Sequence, residues 1–392
     1  MILCPNRPPE SERVCSGICT KELQYVILGA ILKTGKDNKA FIVGDPNQSI
    51  YGNLGGFPMD KAQLENVTGL YYDELSLSYN YRSSSLLVSY FDYFKTYANK
   101  IEAVGKTKDY QSVISYNKTV SVEDLENEIV RIIKTNIDEY RISPNEICIL
   151  APQWIHLSGL TRNLMARLPQ YSFDGPGMAP FARDIDNFWY KLSRIILTDS
   201  TPGLYIRRLR WASEIVTNLL SIGVTNIDLS AKQILYICNS ISINEQDGLE
   251  YLKKFFDAFL ERVNIDINQN KYLKMHYDAF FDSSEKRIDS LKKKGAEFIM
   301  HIDAFRKVFQ QKKGITISTN HGVKGAEFDT VIAFGLLDGY VPHFSESNKE
   351  ESAKRILYVI ASRARKNLYL ISEQGRNKTP TPILSKYGYK YK

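Results

Sequence analysis

The chain has 392 residues, 24% of them charged and 43% hydrophobic, with a formal net charge of +7. That length accommodates two or three domains with sizeable cores, and the balance is that of an ordinary soluble protein rather than a biased polymer. The mild positive charge favours a polyanionic partner without establishing one. No run of eighteen apolar residues occurs, and residues 1–20 carry charges and prolines instead of a signal-peptide core, so a soluble, cytoplasmic chain with no membrane partner is expected. Cysteines at 4, 15, 19, 148 and 238 show no paired metal spacing; their odd number and scatter fit reduced thiols.

In chain order, residues 1–19 have little periodicity and several prolines, and read as a poorly ordered leader. Residues 20–35 predict a helix with Leu23, Ile27, Leu28, Ile31 and Leu32 on its apolar stripe and Gly35 as its stop. A buried strand is predicted over 39–44, and its exposed apolar edge calls for a cover. Helices are predicted over 83–97 and 120–137, the second with Val122, Leu125, Ile129, Ile132 and Ile133 inward. A strand over 146–151, a helix to 168 and a helix over 185–197 continue a strand–helix alternation that predicts a parallel sheet. Residues 200–300 read as all helix, over 204–220, 231–240, 249–263 and 272–281. Strands at 315–318, 330–334 and 367–371, with a helix over 351–362, return the chain to the sheet, and residues 386–392 read as a loose tail.

Four segments carry most of the information: Val43-Gly44-Asp45-Pro46-Asn47-Gln48-Ser49-Ile50-Tyr51-Gly52, Leu77-Ser78-Tyr79-Asn80-Tyr81-Arg82-Ser83, Thr319 to Asp329 (TNHGVKGAEFD) and Leu357 to Leu370 (LYVIASRARKNLYL). The first runs an apolar strand into a polar turn, where α/β sheets meet their ligands. In this order the four resemble motifs III, IV, V and VI of the UvrD/Rep/PcrA-type superfamily 1 DNA helicases. The resemblance covers residues 41–371. It implies an α/β fold: a RecA-like parallel sheet domain with an all-helical insertion, plus a remnant of a first RecA-like domain. The implied divisions are 20–74 for the remnant, 75–199 with 301–392 for the second RecA-like domain, and 200–300 for the insertion.

What the resemblance implies for chemistry is a nucleotide site shared between two domains. Arg82 and Arg363 match the arginines that stabilise charge on the γ-phosphate of ATP, a contribution of about 10³–10⁵ in rate. Arginine suits that task through its fixed charge and planar fork. Gln48 matches the γ-phosphate-sensing glutamine, and Glu327 the motif V glutamate near the nucleotide, with Gly325 allowing close backbone approach. Tyr51 matches an aromatic that stacks on DNA bases and His321 a histidine linking the DNA and ATP sides. By residue type alone, Arg82 also reads as a helix-start residue, Arg363 as a solvated helix-end cation, Gln48 as a turn glutamine and His321 as a core histidine.

Two parts of the motor are not found. No Gly-x-x-x-x-Gly-Lys-[Ser/Thr] loop cradles phosphates, because Gly105-Lys106-Thr107 is preceded by Lys100 where glycine is needed and reads as a surface coincidence. Where the family's Asp-Glu pair would hold Mg²⁺, Cys15-Ser16-Gly17-Ile18-Cys19 offers no carboxylate. The tryptophan and arginine expected after Tyr51 are Asn53 and Leu54. The expectation is therefore the carboxy-terminal portion of an ATP- and magnesium-dependent helicase, incomplete for hydrolysis alone. Its partners would be single-stranded DNA or a single-strand/duplex junction, and possible further company is a protein covering the remnant. The alternative is a non-catalytic, helicase-derived module that binds DNA or protein.

Overall fold

A computed structural model describes residues 13–16, 22–34, 39–50, 56, 58–176, 179–224, 229–293, 297–310, 313–323, 325–386 and 388–391. The chain forms two compact units, Met1–Gly175 with Lys313–Lys392, and Pro176–Lys312.

The first unit opens with β1 (Arg13–Ser16), α1 (Glu22–Leu32), β2 (Ala40–Val43) and α2 (Lys61–Thr68). β1 and β2 form a parallel pair in which Arg13 lies opposite Ala40 and Ser16 opposite Val43, so the leader contributes one short strand. β2 is half-exposed along its length, not the buried strand its composition predicts. α1 occupies the predicted residues but presents a different face. Tyr25, Gly29 and Leu32 are buried, whereas Leu23, Ile27 and Ile31 are exposed. The reason is a close approach: a Cβ on Gly29 would lie 2.5 Å from the Val67 carbonyl of α2, so only glycine admits this contact.

β3 (Tyr79–Asn80), α3 (Ser85–Asp92) and β4 (Glu102–Ala103) follow, with β3 and β4 parallel. β5 (Ile114–Asn117), α4 (Leu125–Asp138), β6 (Ile147–Ala151), α5 (Leu157–Arg167) and β7 (Phe173–Asp174) lead to the second unit. That unit holds α6 (Phe188–Ile196), α7 (Tyr205–Ser221), α8 (Ala231–Ser240), α9 (Gly248–Arg262), α10 (Lys271–Lys292) and α11 (Ile302–Lys307). The chain returns through β8 (Ile315–Thr319), β9 (Phe328–Ala333), α12 (Lys349–Ser362), β10 (Ala364–Ile371) and α13 (Ile383–Lys386).

The main sheet has six strands in the order β5-β10-β9-β6-β8-β7, all pairings parallel. It is buried on both faces, as a parallel sheet requires. Along β6 the side chains alternate: Cys148 and Leu150 join one core with α3 and α12, while Ile147, Ile149 and Ala151 join the other with α4 and α5. The α/β class with a parallel sheet and a helical insertion is thus as the sequence reads. Every named element of the second unit is helical, and its core is aromatic, with Trp189, Phe255, Phe256, Phe280 and Phe305 all buried. The Trp189 indole donates to the Leu273 carbonyl (2.9 Å), which satisfies the one polar atom that burial would otherwise strand. α6 belongs to this core, which is why the helical unit begins at 176.

The loose tail is a misreading. Tyr389 and Tyr391 pack edge-on against Tyr90 of α3, at 4.7 and 6.0 Å between ring centroids, and the Tyr391 hydroxyl donates to the Leu384 carbonyl. Tyrosines spaced by two in an extended segment gain enough buried ring area to dock without helix or strand. Cys148 and Cys238 are buried thiols, and none of the described helices is long and apolar enough to cross a membrane.

Candidate functional site

The site is assembled from three turns. At the carboxyl end of β2, Asp45 caps the turn Pro46–Gln48: Oδ1 accepts the Asn47 amide (3.0 Å) and Oδ2 accepts the Gln48 side-chain Nε2 (2.8 Å). Asn47, fully buried, ties this turn to the loop after α3 by accepting the Thr96 and Tyr97 amides, each at 2.8 Å.

After β3, Asn80 Oδ1 accepts the amides of Arg82 and Ser83 (2.9 and 2.8 Å), an Asx-type turn that projects Arg82 ahead of α3. Ser84 then caps α3. Gly105-Lys106-Thr107, which by sequence reads as a surface coincidence, packs against this turn through Gly105 and Thr107. Gly105 is buried, and a Cβ there would sit 2.0 Å from the Tyr81 carbonyl, while Thr107 Oγ1 donates to the Arg82 carbonyl at 2.5 Å. The Gly-Lys-Thr triplet buttresses the Arg82 turn.

The third element is the end of α12 and the start of β10. Arg363 is 1% exposed, so it is not the solvated helix-end cation its position suggests. Nη2 donates to Gln48 Oε1 (3.0 Å) and Ser362 Oγ (3.2 Å), Nη1 to the Ala326 carbonyl (3.3 Å) and Nε to the Val359 carbonyl (3.3 Å). All these partners are neutral. Burial, and then the neighbouring Arg82 charge, lower its pKa from 12.5 to about 10. Arg82 donates through Nη1 to the Ser362 carbonyl (2.9 Å) and pairs through Nη2 with Glu327. Its Nε is buried and meets no acceptor among the described residues. The Glu327 carboxyl is held below its usual range chiefly by the Arg82 hydrogen bond.

Gln48, Arg82, Glu327 and Arg363 therefore converge around Ser362. Gly325 lies in the same turn, one residue before Ala326, at φ +88° with open space about its Cα. His321 Nε2 lies 3.2 Å from the Ile50 carbonyl. Tyr51 lies outside the described residues.

A second polar cluster occupies the carboxyl ends of β6, β9 and β10, and the motifs gave no notice of it. Buried Glu373 accepts the Gly335 amide (2.9 Å) and Arg376 Nε (2.6 Å). Arg376 Nη1 lies 3.4 Å from His156 Nδ1, the His156 ring packs 5.5 Å from Tyr340, and Lys378 stands 4.7 Å over the Tyr340 ring. Burial, and then Arg376, lower the His156 pKa. Trp154 and Phe344 are exposed nearby in sequence. The signal that finds this cluster is general: in parallel sheets, ligands meet the carboxyl ends of strands.

Residues 249–375 match the UvrD-like helicase C-terminal domain family. That stretch is similar to the C-terminal part of UvrD-like helicases. Over 394 aligned residues this chain is 22% identical to the "Probable DNA helicase II homolog" of Mycoplasma genitalium, covering 90% of this chain and 52% of that protein. The chain thus spans about half the length of that relative. A stretch of 68 residues is 38% identical to the ATP-dependent DNA helicase PcrA of Bacillus subtilis, covering 17% of this chain and 9% of that protein. Among solved structures, the C-terminal domain of a possible DNA helicase from Lactobacillus plantarum WCFS1 aligns at a TM-score of 0.32 and 11% identity, over 78% of this chain and 92% of that one. That overlap is too loose to bear on the fold.

Proposed function

We propose that this chain is the trigger half of an ATP-driven DNA helicase, in which Arg82 and Arg363 meet the terminal phosphate of a magnesium-bound nucleotide. The observation that carries the reading is the pair of guanidiniums bridged by Ser362. Among the described residues, the hydrogen-bond partners of buried Arg363 are neutral, and the buried Nε of Arg82 has no acceptor. Two such cations at one place are stabilised by an anion with several oxygens. The residues fit a phosphoryl group; magnesium and the phosphate tail belong to the half that carries the Gly-Lys-Thr loop and the Asp-Glu pair. ATP bound there supplies the free energy for movement on DNA. Gln48 senses the same phosphate, and Glu327, released from Arg82, faces the nucleotide with Gly325.

DNA is assigned to the carboxyl-end cluster and to the His321 side. Arg376 and Lys378 supply charge and Tyr340 an aromatic face, the combination that tracks single strands, where stacking is worth about 1–3 kcal/mol per base. Tyr51, by its match to the family's stacking aromatic, is a further base contact in this reading, and a single-strand/duplex junction in the cytoplasm is the natural substrate.

The test is DNA-stimulated ATP turnover of the purified chain, with and without a polypeptide bearing the phosphate loop and the Asp-Glu pair. Turnover is expected in the mixture alone and is lost in Arg363→Ala. Turnover by this chain unaided, abolished by the same substitution, overturns the split-site reading. A second reading, a non-catalytic module that binds a protein, draws on the exposed apolar residues Leu23, Val26, Ile27 and Ile31 of α1.

A further inference from the structure

We infer that Asp45 is a positioning residue: by fixing which way the Gln48 amide points, it sets the guanidinium of Arg363. The inference rests on the reading of Arg363 as the residue that meets the terminal phosphate, and it adds a control element to that site.

The argument is one of donors and acceptors. A glutamine amide has an acceptor end and a donor end that differ little in shape, so its orientation is set by its neighbours. Arg363 can donate only, so Gln48 must offer it oxygen, as the 3.0 Å Nη2–Oε1 contact shows. Offering oxygen at that end points Nε2 the other way, and there it meets Asp45 Oδ2 at 2.8 Å. A carboxylate accepts only, so it enforces the arrangement. A third donor confirms the same polarity: the Tyr358 hydroxyl, buried on α12 five residues before Arg363, lies 3.4 Å from the same Oδ2. The other oxygen is taken by the Asn47 amide. Asp45 therefore links the turn after β2 to α12 through Gln48 and Tyr358, and Arg363 is aligned from both. Asparagine or serine at 45 would cap the same turn, since both are good caps, but neither keeps a second acceptor oxygen for Gln48 and Tyr358 once the first is taken by the Asn47 amide.

That difference supplies the test. The full chain is labelled with ¹⁵N-arginine, and the Arg363 guanidinium signals are identified by their loss in Arg363→Lys. Hydrogen exchange of these protons is measured at neutral pH, without nucleotide, in the unaltered chain and in D45N, D45S, Q48M and D45N/Q48M. Q48M removes the acceptor and sets the scale, an acceleration of about tenfold for the loss of a charged hydrogen bond. D45N and D45S are expected to approach that value, and D45N/Q48M to be no faster than Q48M alone. Tm and far-ultraviolet circular dichroism establish that each variant is folded, and D45S serves where D45N is not. If Asp45 merely caps its turn, D45N and D45S exchange like the unaltered chain, and the inference is overturned. It is equally overturned if the effects of D45N and Q48M multiply. Because no nucleotide is present, this outcome is independent of the ATP turnover experiment.

Discussion

Arg363→Met should stabilise the folded chain while removing the function proposed for the site. The guanidinium pKa falls from 12.5 to about 10 on burial. At about 1.4 kcal/mol per pH unit, the folded state carries this charge at a cost of about 3 kcal/mol at neutral pH. The sign follows from proton counting: between the two pKa values the unfolded chain binds more protons, so stability rises with pH there and the penalty is fully present below about 10. Methionine removes the charge and fills a similar volume, but leaves Gln48 Oε1 and the Ala326 carbonyl without this donor, at about 1 kcal/mol each. The net gain is about 1 kcal/mol, or about 2–4 °C in Tm for a unit of this size. Differential scanning calorimetry and urea unfolding at neutral pH measure it. A loss of about 2 kcal/mol or more would show that the arginine is a structural staple, and the argument from its uncompensated charge would fail.

Gly105→Ala forces a Cβ into the Tyr81 carbonyl and should cost about 2 kcal/mol or more while displacing Arg82, read as a lowered urea midpoint and as lost turnover in the two-component ATP assay. The Glu327 carboxyl is held below its ordinary value of 4.5 by Arg82. Its stabilising contribution is present above that value and disappears as pH falls through the lowered one. Glu327→Gln should therefore flatten the acid side of a Tm-against-pH curve, and a curve unchanged in shape refutes the pairing. Replacing Tyr389 and Tyr391 together with alanine strips two rings from Tyr90 and should lower stability by about 2 kcal/mol, with proteolysis advancing from the carboxyl end.

Strand and helix periodicity made the parallel sheet legible: the fully buried run of β6 and the inward stripe of α4 both follow from local pattern. The motif residues Gln48, Arg82, Glu327 and Arg363 were also legible, because each sits in a short segment whose residue types constrain one another. The apolar face of α1 was not. Its pattern pointed to a stripe through Leu23, Ile27 and Ile31, but the buried face is that of Tyr25, Gly29 and Leu32, because the missing side chain of Gly29 lets α2 approach. The tail tyrosines were likewise undecidable from periodicity, since their partner Tyr90 lies about 300 residues away in sequence, the hydroxyl pair with Tyr391 spanning 301.

The sequence by itself determined an α/β chain with a helical insertion and named the cations of its candidate site, because those features are written in local spacing. Only the tertiary structure decided that Arg363 is buried among neutral acceptors, that Ser362 bridges it to Arg82, and that the Gln48 amide lies between Asp45 and Arg363. Each of these depends on contacts between segments tens to hundreds of residues apart, and hydrogen-bond polarity has no signature in one dimension.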